Sequence, residues 1–187
     1  GSLVQRDGLR GAVRADGTLW CWGRSTGDGT WLPGQVPVQV GSDTNWSTVS
    51  AGLLYACAIR QDRTLWCWGY GQFGEIGIGP ALVASAPTQV GSDAAGVLVS
   101  ASTGRTCGIR AAGSRWCWGA SPLGDAAASA SDVPIRIDAG PWQSVSMGNG
   151  HACGIRSDRT LSCWLDVSSG QLGLGTATTF SATPAQV

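Results

Sequence analysis

The chain has 187 residues, and its 12 basic and 12 acidic side chains balance to a formal net charge of zero. This balance argues against the basic surface that nucleic-acid binding requires. The sequence has no run of about 18 apolar residues, which argues against a transmembrane helix. Glycine (29 residues) and tryptophan (10 residues) are abundant, a composition typical of short strands joined by tight turns with indole rings between them.

The strongest pattern is a segment that occurs four times. Its copies are "GAVRADGTLWCWG" (11–23), "CAIRQDRTLWCWG" (57–69), "CGIRAAGSRWCWG" (107–119) and "CGIRSDRTLSCWL" (153–165). Residues of alternating character stand on both sides of a polar tip, which is the pattern of a β-hairpin. Recurrence at this spacing indicates an array of one structural unit.

Other elements recur in phase with the hairpins. A strand-like segment precedes each of the last three hairpins, at 46–52, 96–102 and 142–148. A short strand after a proline recurs at 37–43, 87–93, 134–138 and 184–187. Glycine-rich turns follow the hairpins, most clearly at 71–79 and 169–175. Each unit therefore contains about four short strands, which is the content of a propeller blade.

Two stretches carry a resemblance to a known family. "ACAIRQDRTLWCWGYGQFGEIGIG" and "HACGIRSDRTLSCWLDVSSGQLGLG" resemble regulator of chromosome condensation repeats, and the resemblance covers essentially the whole chain. It implies a β-propeller, for which seven blades are typical. It also implies two functional precedents, a chromatin-bound exchange factor for a small GTPase and secreted bacterial inhibitors that grip an enzyme with one propeller face. Neutral charge argues against the first, so we expect the bacterial secreted type.

These observations predict an all-β fold, a β-propeller built from four ~47-residue blades of short antiparallel strands. We expect one repeat domain over 1–187, and 181–187 should supply the strand that the first unit lacks. Two arrangements stay open, a closed four-bladed ring and an arc completed by dimerisation. The predicted units lie at approximately 1–33, 34–83, 84–130 and 131–180.

The cysteines fit the hairpins. Pairing the strands around each tip places two cysteines directly opposite one another, near enough for a disulfide. The predicted pairs are Cys57 with Cys67, Cys107 with Cys117, and Cys153 with Cys163. The alternative is three pairs of reduced, buried thiols. In the first copy Gly11 stands opposite Cys21, which leaves Cys21 as an unpaired thiol. Disulfides imply an oxidising compartment, so we expect a secreted or periplasmic protein.

A catalytic alternative rests on two carboxylates. Glu75 and Asp125 each lie eight residues after the second cysteine of a hairpin, as Gln171 does. Carboxylates around a channel could act as acid and base in the hydrolysis of a glycoside, ester or phosphate. The single histidine, His151, is a further candidate, because histidine is the residue type that most often serves as a general acid or base. The competing interpretation is structural, with carboxylates that cap turns and a hydrogen-bonded histidine.

Four arginines recur just before the hairpin tips and are candidates for binding. Four guanidinium groups in register could hold an anion or form a rim that recognises a protein. The alternative is that they stack on tryptophans or pair with aspartates near the tips. Trp31 lies outside the repeated pattern and is a candidate for an exposed aromatic anchor. The arginines are Arg14, Arg60, Arg110 and Arg156, and the aspartates are Asp16, Asp62 and Asp158.

Together these features favour a non-catalytic binding scaffold that presents the turns between its blades to a protein or carbohydrate partner. The alternative is a hydrolase that uses Glu75 and Asp125. We expect no cofactor and no metal, because cysteines spaced as metal ligands are missing and only one histidine is present. We expect no nucleic acid and no membrane as partners, and a homodimer that completes the propeller.

Overall fold

A computed structural model of the chain describes residues 2–5, 8–126, 129–166, 170–175 and 180–187. Over these residues the fold is all β, with four antiparallel sheets of four strands, each sheet built from strands that are consecutive in sequence. The predicted fold class is confirmed. Part of the glycine-rich turn predicted at 169–175 lies outside the described residues. The described chain contains no helix with the length and apolar character that crossing a membrane demands.

The strands follow one another in the same order in every sheet. The first sheet contains β1 (Ser2–Gln5), β2 (Leu9–Val13), β3 (Leu19–Gly23) and β4 (Gly34–Gln39). The second contains β5 (Trp46–Ala51), β6 (Tyr55–Arg60), β7 (Leu65–Tyr70) and β8 (Val83–Gln89). The third contains β9 (Gly96–Ala101), β10 (Arg105–Arg110), β11 (Arg115–Gly119) and β12 (Ser131–Asp138). The fourth contains β13 (Trp142–Met147), β14 (His151–Arg156), β15 (Leu161–Asp166) and β16 (Phe180–Gln186).

The central hairpin of each sheet has the register that the sequence predicts. Cys57 pairs with Cys67 and Ala58 with Trp66, and the other three hairpins have the same register. The tip is fixed by side chains, because Asp62 Oδ1 accepts hydrogen bonds from the backbone N–H and the hydroxyl of Thr64, at 3.0 and 2.7 Å. Thr64 Oγ1 in turn accepts a bond from the indole of Trp66. The tip sequence therefore sets both the turn and the direction of the first tryptophan.

The sheets stack through two different faces. In the second sheet the Trp face carries Ala56, Ala58, Trp66 and Trp68, and the Cys face carries Cys57, Ile59, Leu65 and Cys67. The Trp face packs on the first sheet, and the Cys face packs on Val99 and Trp118 of the third sheet. The third and fourth sheets meet in the same way. The indole-lined faces of the second, third and fourth sheets are thus shielded from water by the Cys face of the preceding sheet.

The stack is an open arc. Neighbouring sheets contact one another through their first strands, β1 with β5, β5 with β9, and β9 with β13. Those strands form the inner side, and the fourth strands form the exposed outer side. Across the described residues no substantial strand contact joins the fourth sheet to the first. The closed four-bladed ring is therefore not the arrangement of this chain.

The last strand corrects one expectation. The segment 181–187 was expected to complete the first sheet, but β16 pairs with β15, and Cys163 lies opposite Ala185. The first sheet has its own fourth strand, since Cys21 lies opposite Val38 of β4. Each proline-containing strand therefore closes the sheet of the hairpin before it, and does not open the next unit. The sheets accordingly span 2–39, 46–89, 96–138 and 142–186.

All three predicted disulfides are present, with Cα–Cα separations of 4.1 Å. Each links residues 10 apart in sequence. Replacing Cys107 and Cys117 together by alanine should lower the free energy of unfolding by about 2–3 kcal/mol, because the crosslink restricts the unfolded chain. Denaturant titration measures this loss. In a reducing buffer the wild type and the variant should converge, whereas equal stability without reductant would contradict the expectation.

Candidate functional site

The sheets present two edges to solvent. The hairpin tips, at 14–18, 60–64, 110–114 and 156–160, form the tip edge. The glycine-rich connections that follow each hairpin form the loop edge, together with the turns between the first and second strands. These assignments follow from the antiparallel strand order. The predicted binding residues divide between the two edges, because the arginines lie at the tip edge and Trp31 lies in the loop between β3 and β4.

The arginines at the tip edge stack on tryptophans. The guanidinium carbon of Arg60 lies 4.0 Å from the ring centroid of Trp66 and 4.6 Å from that of Trp46. Arg110 lies 3.6 Å from Trp116. Comparable stacks hold Arg14 and Arg156. Such cation–π contacts hold the guanidinium groups against their own sheets and leave only part of each exposed.

The ion pairs at this edge use aspartates from the connections between sheets. Arg60 pairs with Asp43 and Arg110 with Asp93, each at 2.5 Å. The aspartates near the tips have another role, because hydrogen bonds from Thr64 lower the pKa of Asp62. Hydrogen bonds from Thr18 and Thr160 likewise lower the pKa of Asp16 and of Asp158. The tip edge is therefore a row of separate arginine–tryptophan stacks.

An aromatic patch lies at the loop edge of the first two sheets. Trp31 is 43% exposed, and its ring centroid lies 4.9 Å from that of Tyr70. Tyr70, Phe73 and Leu53 line a neighbouring cavity of about 170 Å³. All four side chains are exposed. We call Trp31, Leu53, Tyr70 and Phe73 the aromatic patch. The sequence predicted only Trp31, although Tyr70 and Phe73 are also aromatic residues that the other repeats lack.

Glu75 caps a turn beside this patch. The Phe73 backbone N–H donates to Glu75 Oε2 at 2.7 Å, and the Thr106 hydroxyl donates to the Glu75 backbone carbonyl at 2.8 Å. Burial raises the pKa of the Glu75 carboxyl, and the backbone hydrogen bonds oppose this shift. The geometry is that of the turn cap considered in the sequence analysis.

Glu75 and Asp125 do not occupy equivalent positions. In the second sheet's loop, Gly77 packs under the indole of Trp118. In the third sheet's loop, Gly124 packs under Trp164. Asp125 therefore follows the glycine that contacts tryptophan, whereas Glu75 precedes it by two residues, because the loops differ in length. Equal spacing from the hairpin cysteine does not produce a ring of carboxylates.

The three catalytic candidates lie in different layers of the stack. Glu75 contacts the third sheet through Thr106, whereas Asp125 lies near the buried Arg115, where burial lowers the pKa of the guanidinium and the charge of Asp125 opposes this shift. His151 begins β14 of the fourth sheet and packs against Gly148. The described structure does not bring Glu75, Asp125 and His151 to one site.

Replacing Glu75 by glutamine tests this structural role. The folded state holds the Glu75 proton more tightly than the unfolded state, so its contribution to stability falls as pH rises from about 4.3, the unfolded value, through the raised folded pKa. The glutamine variant should therefore have a higher Tm than the wild type at pH 7, and this gain should shrink at pH 3.5. Asp132→Asn is a control for charge removal. A gain that is larger at pH 3.5 than at pH 7 would contradict the assignment.

Cys21 is the free cysteine, and it is buried. It packs between the first two sheets, and its sulfur would lie 3.3 Å from a Cβ added at Gly11. Burial raises its pKa to about 12. A thiol with so high a pKa is not an active nucleophile at neutral pH.

Comparison with known proteins agrees with this architecture. A regulator of chromosome condensation (RCC1) repeat model matches residues 46–75, which lie within the second sheet and its following turn. No curated protein sequence matches the chain.

Solved structures match the whole chain. The structure of human WBSCR16 has a TM-score of 0.88 at 18% identity, covering 100% of this chain and 53% of that one. The structure of Kap60 bound to yeast RCC1 (Prp20) gives 0.86 at 16% identity, with 100% and 48% covered. Prp20p from Saccharomyces cerevisiae gives 0.84 at 16% identity, with 100% and 50% covered. The chain therefore has the fold of an RCC1-type propeller arc and spans about half the length of these structures.

Proposed function

We propose that the protein is a non-catalytic scaffold that binds a protein partner through the aromatic patch at its loop edge. The observation that carries this proposal is the adjacency of exposed Trp31, Tyr70 and Phe73 on two neighbouring sheets. Aromatic side chains are enriched in protein interfaces, where tryptophan and tyrosine contribute much of the binding energy. Tyr70 ends strand β7, and the Phe73 N–H is held by Glu75, so this part of the patch is ordered before a partner binds.

Similar folds supply a precedent for protein binding. The Prp20p structure is described together with its binding properties to Gsp1p and histones, and another structure contains Kap60 bound to Prp20. The neutral charge of this chain does not favour the acidic or nucleic-acid surfaces of chromatin as partners. A carbohydrate partner is an alternative outcome of the experiment below.

The test compares partner capture by matched variants. Proteins retained from the source organism's extracellular fraction should bind the wild type and Phe180→Ala, which removes an exposed aromatic elsewhere. The double variant Trp31→Ala/Tyr70→Ala should bind them at least about tenfold more weakly. Equal retention by the patch variant would overturn the proposal. Retention of glycans alone, on a glycan array, would replace the protein partner by a carbohydrate.

We also propose that two copies associate end to end and complete a ring of eight sheets. The Trp face of the first sheet and the Cys face of the fourth are the uncovered ends of the arc. Leu3 on the Trp face of the first sheet is 75% exposed, whereas Val49, at the equivalent position of the second sheet, is 6% exposed. Ile155 on the Cys face of the fourth sheet is 40% exposed, whereas Ile59, at the equivalent position of the second sheet, is 3% exposed. The two ends are complementary, because the internal interfaces join the same two kinds of face.

Polar groups at the fourth sheet's free face support the same arrangement. The Ala101 N–H donates to Ser50 Oγ and the Met147 N–H to Ser100 Oγ, each at 2.9 Å across a sheet interface. Ser146 occupies the equivalent position and is exposed. Within the described residues, buried His151 Nδ1 has no hydrogen-bond partner. A sheet packed on this face would give both groups neighbours.

Light scattering after size-exclusion chromatography tests the end-to-end association. The wild type should show a dimeric mass that falls on dilution, and Leu3→Arg or Ile155→Arg should be monomeric. Val36→Arg, which places the same charge on the outer strand β4, should remain dimeric. A monomeric wild type at high concentration would overturn the proposal and indicate that other sheets cover these faces.

Localisation outside the cytoplasm is part of the proposal. The three disulfides favour an oxidising environment, and we propose that the protein is secreted or periplasmic.

A further inference from the structure

The third sheet lacks an indole that its neighbours possess. Trp46 and Trp142 begin the first strands of the second and fourth sheets, opposite Arg60 and Arg156. In the third sheet the residue opposite Arg110 is Gly96. Both tryptophans are buried at 2% exposure and pack against the preceding sheet. A glycine at this position leaves the equivalent space between the second and third sheets without a ring.

That space forms a cleft between the second and third sheets. Its volume is about 380 Å³, compared with about 190 Å³ for the equivalent cleft between the first and second sheets. The two clefts are lined by equivalent residues, Val90 in place of Val40, Arg110 in place of Arg60, and Gly96 in place of Trp46. The larger cleft reaches inward to Ile59 and Leu98. The missing indole accounts for the extra volume, and the total volume of the cleft, about 380 Å³, lies within the range of small-molecule sites.

The floor of the cleft is already shaped for a flat ring. In the fourth sheet the ring of Trp142 lies directly over Gly154, where a Cβ would approach ring carbons to 2.8 Å. The equivalent residue of the third sheet is also a glycine, Gly108, and a Cβ there would meet no ring atom closer than 3.9 Å. Gly108 therefore provides the same flat floor, and among the described residues no ring lies over it as closely as Trp142 lies over Gly154.

A cation lies beside the vacant position. Arg60 stacks on two indoles, Trp46 and Trp66. Arg110 stacks on Trp116 at 3.6 Å and pairs with Asp93, whose side chain is half exposed. The position equivalent to Trp46 is empty, so a ring entering the cleft would meet the Arg110 guanidinium as Trp46 meets that of Arg60. Cation–π attraction and an apolar lining both favour an aromatic group here.

We propose that this cleft, which we call the indole cleft, binds a planar aromatic ring of indole size between the second and third sheets. The ring takes the place that Trp46 and Trp142 fill in the adjacent interfaces. It packs on Gly108 and against Arg110, with Ile59 and Leu98 on the apolar side. The site is separate from the aromatic patch and does not depend on the proposed partner.

Isothermal titration calorimetry with indole tests the site. The wild type should bind one equivalent in a saturable manner. Gly96→Trp places an indole in the cleft and should weaken binding at least tenfold. Arg110→Met should weaken it several-fold, whereas Arg14→Met, which alters the equivalent stack of the first sheet, should leave it unchanged. A parallel titration with N-acetyl-tryptophanamide distinguishes a ring carried on a peptide from a free aromatic compound, and saturable binding of either supports the site.

A reciprocal variant makes the assignment specific. Trp142→Gly opens the equivalent cleft over Gly154 and should raise the stoichiometry from one to two in protein that retains its β-sheet circular dichroism. No saturable binding of either ring by the wild type would overturn the proposal. Unchanged affinity for indole in Gly96→Trp would also overturn it. This variant removes no core side chain, so its result does not depend on a destabilised fold. Since neither result involves Trp31 or Tyr70, the proposed partner-binding function is tested separately.

Discussion

Replacing Trp68 by alanine should lower the free energy of unfolding by about 3–5 kcal/mol, the usual cost of removing a buried tryptophan. Trp68 is fully buried. Its indole packs against Gly27 of the first sheet's loop and lies edge-on to Trp46, with centroids 6.5 Å apart. The two sheets meet through this side chain, and backbone strands cannot move inward easily to fill the resulting cavity.

The control is Trp22→Ala, at the equivalent position of the first sheet. Trp22 is only partly buried, because the Trp face of the first sheet has no neighbour within the arc. This variant should lose clearly less stability than Trp68→Ala. Urea denaturation followed by far-ultraviolet circular dichroism measures both. Equal losses, in protein dilute enough to be monomeric, would show that sheet stacking is not the source of the stability.

Replacing Arg115 by alanine should lower the free energy of unfolding by about 3 kcal/mol or more, because the change breaks a buried ion pair and leaves a cavity. Arg115 is 1% exposed and pairs with Asp138 at 2.9 Å. Its guanidinium also donates to the Gly124 carbonyl at 3.0 Å and lies 4.4 Å from the ring centroid of Trp164. Burial lowers the pKa of this guanidinium, and Asp138 opposes the shift.

Arg115→Leu separates the loss of the ion pair from the loss of side-chain volume. The other three repeats have leucine at this position, at Leu19, Leu65 and Leu161. Leucine fills much of the space that alanine would leave, and Asp138 retains bonds from the Gly140 N–H and the Trp142 indole, at 3.0 and 2.7 Å. Thermal and urea unfolding should therefore rank the leucine variant between the wild type and the alanine variant. An alanine variant as stable as the wild type would contradict the assignment.

The hairpins and disulfides could be predicted from the sequence because they depend on local spacing. Two cysteines ten residues apart, with a polar tip midway between them, have one antiparallel register in which they face each other. The structure has this register in each of the three hairpins that carry two cysteines. The recurrence of the pattern also fixed the all-β class, since a sheet with two apolar faces needs a neighbour on each side.

Features that depend on loops or on neighbouring sheets were harder to predict. The proline strand could be assigned to either adjoining unit from spacing alone, and only pairing with β15 placed β16 in the fourth sheet. Unequal loop lengths made Glu75 and Asp125 appear equivalent. Tyr70 joins Trp31 through contacts between two sheets. The repeated segments do show glycine at Gly96 where the others begin with Trp46 and Trp142, but the cleft this leaves depends on how the second and third sheets pack.

Residue-resolved hydrogen exchange of dilute, monomeric protein measures the stacking of the sheets most directly. The amides of Ala101 and Met147 bond to side chains of the preceding sheet, whereas the equivalent Gln5 has no preceding sheet within the arc. We expect exchange at Ala101 and Met147 to be slow, with protection approaching that of global unfolding, and exchange at Gln5 to be fast. Rapid exchange at Ala101 and Met147 while the hairpin amides stay protected would show that the sheets fold without packing on one another.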